Sequence, residues 1–247
     1  NRQIKEVGMR GVISAVIVIS FMIMLQATVK TVFAGHEEVD GMVLVPAGKF
    51  IFGDKDEGTR EDIDLRAFYI DRYEVTNEAY GKFKHDHKYP ADKAKHPVVN
   101  VTWQEANTYC KSLGKRLPSE EEWEKAARGT DGRLYPWGND FDKTKANTRE
   151  GGRPAPKHHD HSGKQESVSV KGTVAAGTYE TGKSPYGIYD MAGNAREWTD
   201  NWFDEKKIYK VVRGGSYIDD AEAVFTFTVK KSIPEDAKEY IGFRCAK

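Results

Sequence analysis

The sequence predicts an α+β protein with low regular secondary structure, preceded by one N-terminal transmembrane helix. Three observations lead to this fold class. Residues 11–29 form an apolar segment without a charged residue. Short helical patterns with capping residues occupy the first half of the remaining chain. From Thr130 onward Gly, Pro, Asn and Asp are scattered and no long helical period occurs, which indicates loops and short strands packed by aromatic residues.

Composition limits the classes of function. The chain has 247 residues, enough for one large domain or two small ones. It carries 38 basic and 38 acidic residues, so its formal net charge is zero. Because the chain has no surplus of basic residues, we expect no nucleic-acid partner. The sequence also has no block of acidic residues that would indicate a solvating tail.

The N-terminal apolar segment has the length of a membrane span. Nineteen helical residues cover roughly 28 Å, close to the hydrocarbon thickness of a bilayer. Basic residues precede the segment and acidic residues follow it, which predicts a cytoplasmic N-terminus and an extracytoplasmic main domain, periplasmic or extracellular. The predicted organisation is a cytoplasmic tail at 1–10, an anchor at 11–30, a linker at 31–40 and a domain at 41–247. We therefore expect contact with the lipid bilayer through residues 11–29.

A signal peptide is the alternative for the same segment. The strongly apolar part, Val12–Leu25, has the length of a signal-peptide core, and Val32-Phe33-Ala34 is a tolerable cleavage site. Both interpretations place the domain at 41–247 outside the cytoplasm.

Strand patterns open the predicted domain. Gly41–Gly53 is an apolar, β-branched run interrupted by Pro46-Ala47-Gly48, which predicts two short strands around a tight turn. Leu65–Val75 alternates enough to predict another strand. Thr76-Asn77-Glu78 then offers an N-cap for a short helix over Glu78–Lys84.

Two further helices are predicted before the loop-rich half. Thr102–Leu113 is predicted as a helix because Trp103, Ala106, Tyr109 and Cys110 recur at helical spacing. The next helix begins at Ser119, which forms a capping box with Glu122 and precedes the core-facing Trp123 and Ala127. Gly129 ends it.

Eight motifs follow one another in a characteristic order. They are Gly41–Gly53, Asp71–Asn77, Pro97–Trp103, Gly114–Glu124, Tyr135–Asn139, Tyr186–Trp198, Arg213–Tyr217 and Ile241–Cys245. Together they resemble the formylglycine-generating enzyme (sulfatase-modifying factor) family over nearly all of residues 41–247. The resemblance implies a C-type-lectin-like α+β fold.

The chain departs from this family at the site of its chemistry. Active members carry a GGSYxC motif and a second cysteine five residues later, and the two thiolates bind Cu(I). Here Ser216 is present, but Asp219 and Val224 stand at the cysteine positions. Cu(I) prefers soft sulfur ligands, which Asp and Val cannot supply. We therefore expect no copper, no catalytic residues and no oxidase activity.

The resemblance also implies a disulfide and structural calcium. Cys110 and Cys245, the chain's two cysteines, match positions that are bonded to each other in the family. The Gly193-Asn194-Ala195 loop and Glu197 match a calcium site of the family. Such a site suits a tight loop, which supplies backbone carbonyl oxygens in addition to side-chain oxygens. Asn147 is a candidate ligand for a second ion. An ordinary turn is the alternative for this loop.

Two other groups of polar residues invite a functional interpretation. Histidines cluster at His85-Asp86-His87 and at 158–161, and carboxylates cluster at Asp219, Asp220 and Glu222. Both histidine clusters lie in polar stretches typical of solvated loops, and the acidic cluster is expected to be an exposed loop. Ser216 is expected to bind backbone with its hydroxyl.

The leading hypothesis is a non-catalytic, membrane-anchored, extracytoplasmic binding or scaffolding subunit, working with other subunits of a membrane protein complex. One alternative is an enzyme of altered chemistry, an oxidase or another metal-dependent enzyme, that uses a site around Asp219 or the His-rich loop. Another, by analogy of fold, is a carbohydrate- or peptide-binding module.

Overall fold

A computed structural model describes residues 38–39, 41–54, 58, 60–151 and 172–247, all within the compact unit His36–Lys247. The predicted tail and anchor at 1–30 and the histidines at 158–161 lie outside these residues. In the part of the chain that is described, no helix combines the length and the apolar character needed to cross a membrane.

The strands of the first half form two small antiparallel sheets among the described residues. One contains β1 (Glu38–Val39), β2 (Met42–Val45) and β5 (Phe68–Asp71) in the order β1-β2-β5, and the other pairs β3 (Gly48–Phe52) with β4 (Glu61–Leu65). The two short strands predicted around a turn, β2 and β3, are thus confirmed, although they belong to different sheets.

The single strand predicted over Leu65–Val75 is wrong, because two strands share this segment. Leu65 ends β4, and β5 begins at Phe68 and pairs with β2. The chain leaves the sheet after Asp71, whose carboxylate accepts hydrogen bonds from Lys115 Nζ at 2.6 Å and from the Cys245 amide at 2.9 Å. These side-chain contacts depend on the tertiary fold and leave no local periodic signal.

The three predicted helices are confirmed, with bounds shifted by a residue. They are α1 (Asn77–Phe83), α2 (Trp103–Ser112) and α3 (Glu120–Arg128). Thr76 caps α1, and complete capping boxes begin the other two, Thr102 with Glu105 and Ser119 with Glu122. Each box satisfies backbone donors that the first helical turn leaves free.

The loop-rich half is organised by a four-stranded sheet. It contains β6 (Arg196–Trp202), β7 (Lys210–Arg213), β8 (Lys230–Ser232) and β9 (Ile241–Gly242) in the order β8-β7-β6-β9. Strand β9 runs parallel to β6, and the other pairs are antiparallel. A side chain at Gly242 would lie 2.5 Å from the carbonyl oxygen of Val98, so only glycine allows this close approach.

A buried disulfide joins the first half to the C-terminus. Cys110 in α2 and Cys245 are bonded and fully buried, as the family resemblance implied. They lie in a core that includes Tyr109, Trp198 and Phe243. The last residue is also paired: Lys247 and Tyr69 exchange two backbone hydrogen bonds of 2.8 and 3.0 Å.

Helix α3 buries charge as well as its predicted apolar face. Glu124 is fully buried and accepts hydrogen bonds from Arg128, Arg213 and the Gly53 amide. The carboxylate thus links α3, β7 and the end of β3. This network compensates the cost of burying three charged side chains.

Candidate functional site

The loop after β7 contains the positions at which the resemblance places the family's copper ligands. Gly214 and Gly215 have φ angles of 87° and 67°, a backbone region that favours glycine. A Cβ at Gly214 would lie 2.8 Å from the Trp123 ring, and one at Gly215 would lie 2.5 Å from Val224 Cγ1. The loop is therefore pressed tightly against α3 and against the 3-10 turn Glu222–Val224.

Asp219 is buried, and its carboxylate accepts four hydrogen bonds. Oδ2 accepts from the Ser216 amide and hydroxyl, both at 2.8 Å, and from Arg196 Nε at 3.0 Å. Oδ1 accepts from Arg196 Nη2 at 2.6 Å. The guanidinium of Arg196 also lies 4.8 Å from the centre of the Tyr240 ring. The expectation of an exposed acidic loop is thus wrong for Asp219, because Arg196 neutralises its charge.

These contacts limit the chemistry of the loop. Three of these hydrogen bonds fall on Oδ2 and one on Oδ1, and the Arg196 guanidinium balances the carboxylate charge, so Asp219 is held in a structural ion pair. The hydroxyl of Ser216 donates to Asp219, not to backbone. Val224 is fully buried among Tyr135, Ala146 and Ala192. Loop residues 216, 219 and 224 therefore serve packing and charge pairing.

An open cavity lies beside this loop. Its volume is about 610 Å³, and Tyr217 and Ile218 of the loop form part of its wall. The other lining residues come from α1 and the segment after it, from both sides of the undescribed stretch 152–171, and from the approach to β9. They are Asn77, Lys93, Pro97, Val99, Asn100, Arg149, Gly172, Thr173 and Glu239. Arg149 is held at the rim because its Nε donates to the Ile218 carbonyl at 3.0 Å.

The residues proposed for calcium lie close together, but their oxygen atoms differ in availability. The Asn194 side-chain oxygen accepts from the Val174 amide at 2.9 Å and from Asn147 Nδ2 at 3.1 Å. Both oxygens of Glu197 bind the Arg244 guanidinium at 2.7 Å, and one also accepts from Trp123. By contrast, the buried Oδ1 of Asn147 has no hydrogen-bond partner among the described residues.

The donor set therefore fits a cation only in part. Asn147 supplies an unpartnered oxygen atom of the kind that calcium prefers. The side chains of Asn194 and Glu197 already have N–H partners, and the Gly193-Asn194-Ala195 loop could contribute backbone carbonyls. Among the described residues no group of three or more His, Cys, Asp and Glu side chains is arranged to hold a metal ion.

A buried acidic cluster surrounds Arg244. Glu74, Asp190 and Glu197 share this single guanidinium, so negative charge is in excess. Burial, followed by the neighbouring charges of Asp190 and Glu197, raises the pKa of Glu74 well above its usual value. Burial also raises the pKa of Asp190 to about 6, although the Gly177 amide donates to it at 2.7 Å. The cluster thus holds more carboxyl groups than Arg244 can balance, and burial favours their protonated forms.

Sequence reasoning missed these charged partners, although a signal was present. Glu74, Asp190 and Arg196 all lie inside motifs that carry the family resemblance. Ionisable residues within motifs that are otherwise apolar or glycine-rich indicate buried pairs, since unpaired charges are rarely buried. Arg196 lies inside such a motif, whereas Asp219 lies two residues after the motif Arg213–Tyr217, so the motifs indicated only one member of this pair.

Two of the described histidines, His87 and His96, make side-chain contacts within the domain. Nε2 of His87 lies 2.9 Å from Asn77 Oδ1, and its ring packs 5.1 Å from Tyr80 and 5.4 Å from Tyr89. Burial lowers the pKa of His87. His87 lies in the loop after α1 and is half-buried, so the predicted solvated loop fits His85, which is exposed, and fits His87 only in part. His96 is buried and hydrogen bonds to Thr173 at 3.1 Å.

Comparison with known proteins identifies relatives of this chain. Residues 28–247 match the family described as "Sulfatase-modifying factor enzyme 1-like domain". The mouse (Mus musculus) protein "Inactive C-alpha-formylglycine-generating enzyme 2" is 28% identical over 276 residues, covering 86% of this chain and 87% of the relative. The bovine (Bos taurus) "Formylglycine-generating enzyme" is 27% identical over 285 residues, with coverage of 83% and 74%. Overall identity therefore does not separate the relative named inactive from the one named an enzyme.

A solved structure supports the fold. PvdO from Pseudomonas aeruginosa superposes with a TM-score of 0.65 at 24% identity, covering 83% of this chain and 93% of that one. At this identity the comparison bears on the fold alone. The order of motifs, the buried disulfide and the family match agree, and the chain belongs to the sulfatase-modifying factor enzyme 1-like family.

Proposed function

We propose that this chain is a non-catalytic binding or scaffolding subunit that uses the family's fold outside the cytoplasm, anchored through residues 11–29. It would work with other subunits of a membrane-associated complex. The cavity beside Tyr217 and Ile218 would be its recognition site, since a rigid core presents irregular loops there. The anchor and the complex rest on the sequence pattern alone.

One observation carries the non-catalytic part of this proposal. Where the family resemblance expects two thiolates, Asp219 is paired with Arg196 and Ser216, and Val224 is buried in apolar surroundings. Neither residue supplies the sulfur ligand that Cu(I) prefers, and the Asp219 charge is already balanced by Arg196. The relative named inactive is consistent with loss of activity within this family.

The altered enzyme remains the competing hypothesis, and activity measurements separate the two. The full chain in detergent is incubated with Cu(I), oxygen and a sulfatase-type cysteine peptide. We expect no formylglycine and no stoichiometric copper. Formylglycine formation would refute the proposal, and so would a turnover-competent metal bound at Asp219 or at the histidines of 158–161.

The binding role is tested by affinity capture from solubilised membranes and mass spectrometry. Ile218 is 38% exposed at the cavity wall, and Leu113 at the end of α2 is 53% exposed and serves as the matched control position. We expect stable copurifying subunits that are lost with Ile218→Glu and retained with Leu113→Glu. Equal retention in both variants would exclude the cavity as the binding surface.

Calcium is part of the proposal as a structural ion. Asn147 would contribute its unpartnered side-chain oxygen, and the loop at Gly193 and Ala195 would contribute carbonyls. A bound ion would stabilise the native state by linkage and would supply positive charge near the acidic cluster. We expect calcium to raise the Tm relative to EDTA, and Asn147→Leu to remove this rise. A calcium response unchanged in Asn147→Leu would exclude this residue as a ligand.

A further inference from the structure

We propose that the hairpin between β6 and β7, together with β8, contacts the surface of a bilayer containing anionic lipids. The hairpin patch consists of the apolar residues Trp202, Phe203, Ile208 and Ile233 and the lysines Lys206, Lys207 and Lys231. This inference does not depend on the cavity, on calcium or on the segment 11–29.

The apolar members are exposed and lie on one hairpin and the strand end beside it. The Trp202 ring is 4.1 Å from Lys210 Nζ on one face, and the Phe203 ring is 4.6 Å from Lys231 Nζ on the other. Trp202 is 38% exposed, Phe203 44%, Ile208 46% and Ile233 43%. The Phe203 amide donates to the Tyr209 carbonyl at 2.8 Å, which brings the two arms of the hairpin together. Lys210 pairs with Ser232 across the strands, so Ile233 lies beside this hairpin. Grouped exposed apolar side chains indicate an interaction site, whereas isolated ones do not.

The charge that this hairpin presents outward is mainly positive. Asp204 turns inward, where its carboxylate accepts from the Ile208 amide at 3.5 Å and from the Tyr209 amide at 3.3 Å. Lys206 and Lys207 are exposed on the turn, beside one exposed acid, Glu205. The arrangement therefore complements a negatively charged surface.

Lys231 joins the charged and apolar parts of the patch. Its Nζ lies 4.6 Å from the centre of the Phe203 ring and 4.7 Å from that of Tyr209. Aromatic residues interleaved with lysines suit the bilayer interface, where rings enter the headgroup region and ammonium groups meet lipid phosphates. Each lysine near an anionic surface adds to the attraction.

The edge of the sheet favours lipid over an added protein strand. Strand β8 is at the edge of the described sheet, but it has only three residues and Lys231 at its centre. Short edge strands that carry lysine resist pairing with another chain. A lipid surface requires no backbone pairing and uses the apolar and basic groups together.

A fluorescent probe tests the contact in the full chain. Ile208→Cys is labelled with an environment-sensitive dye, since both native cysteines are in the disulfide. Leu113→Cys is the control, because Leu113 is at least as exposed and lies on another element. Both proteins are mixed with nanodiscs of phosphatidylcholine, with and without phosphatidylglycerol.

We expect a blue shift and higher intensity at position 208 in anionic discs, reversed by high salt and absent at position 113. Adding Lys206→Ser and Lys207→Ser to the labelled variant should remove the response. An unchanged spectrum at position 208 in anionic discs would overturn the inference. An equal shift at both positions would do the same, as would photocrosslinking from position 208 to protein and not to lipid.

Discussion

Asp219 is held by four hydrogen bonds, and Arg196 balances its charge inside the domain. At the scale of single residues, this pair fixes the loop after β7 against the start of β6. The loop thereby keeps a single conformation without the cysteines that the family resemblance expects there.

A double-mutant cycle measures this pair. Asp219→Leu should lower the free energy of unfolding by about 2–3 kcal/mol, because it leaves a mostly buried guanidinium without its carboxylate. Adding Arg196→Leu should recover part of that loss, since two apolar side chains can pack where two charges were. Urea denaturation gives the coupling energy, and strictly additive losses would show that the residues do not act as a pair.

Asp190 predicts an unusual pH dependence of stability. Its pKa rises from 3.8 to about 6 in the folded protein, so between these values the native state binds more protons than the unfolded state. The stabilisation is therefore fully present below pH 4 and is lost as pH rises through about 6. The total is roughly 3 kcal/mol at about 1.4 kcal/mol for each pKa unit.

Comparison with Asp190→Asn isolates this contribution. Unfolding free energies of both proteins are measured from pH 4 to pH 7 in EDTA, which removes bound cations. The wild-type protein should lose stability relative to the variant as pH rises. Parallel curves would show that Asp190 ionises normally.

At the scale of elements, α2 and α3 both begin with a capping box. The side chains of Thr102 and Ser119 each accept a hydrogen bond from the backbone amide three residues later, and the glutamate carboxylate at that position accepts one from the backbone amide of the cap residue. Replacing Ser119 by Ala should cost about 1 kcal/mol, and Thr102→Ala should cost a similar amount. Thermal unfolding measures both, and Ser112→Ala at the other end of α2 is the control. A loss in the control as large as in the caps would contradict the assignment.

Helix starts were predictable because their signals are local. The caps at Thr76, Thr102 and Ser119 and the apolar face of α2 follow from residues within one or two turns. The split between β4 and β5 was not predictable, because the two strands pair with different partners, β4 with β3 and β5 with β2. Such partners are distant in sequence, and periodicity carries no information about them.

The candidate site likewise has features that the sequence predicts and features that depend on distant contacts. The residue types at positions 219 and 224 predict that copper is not bound, since the ligand atoms follow from residue type alone, and this stays a prediction. The burial of Asp219 depends on Arg196, 23 positions away. The cavity wall is assembled from several separate segments, and no single motif describes it.

At the scale of the whole molecule, the disulfide closes a loop with a sequence separation of 135 residues. In the chain-entropy model such a loop contributes about 5 kcal/mol by restricting the unfolded state. The Cys110→Ala, Cys245→Ala double variant should lose stability of this order in denaturant unfolding. Because both sulfur atoms are buried, a reductant should break the bond in the native protein only as fast as the protein unfolds. Rapid reduction without unfolding would contradict this prediction.

The pairing of Lys247 with Tyr69 has a consequence for the order of folding. Tyr69 lies in β5, so a sheet begun early in the sequence is completed by a residue far along the chain. Contacts this distant in sequence form slowly, because the long intervening chain must first be closed into a loop. Until Lys247 docks, the edge of β5 that it covers stays unpaired, and an unpaired strand edge can pair with another chain.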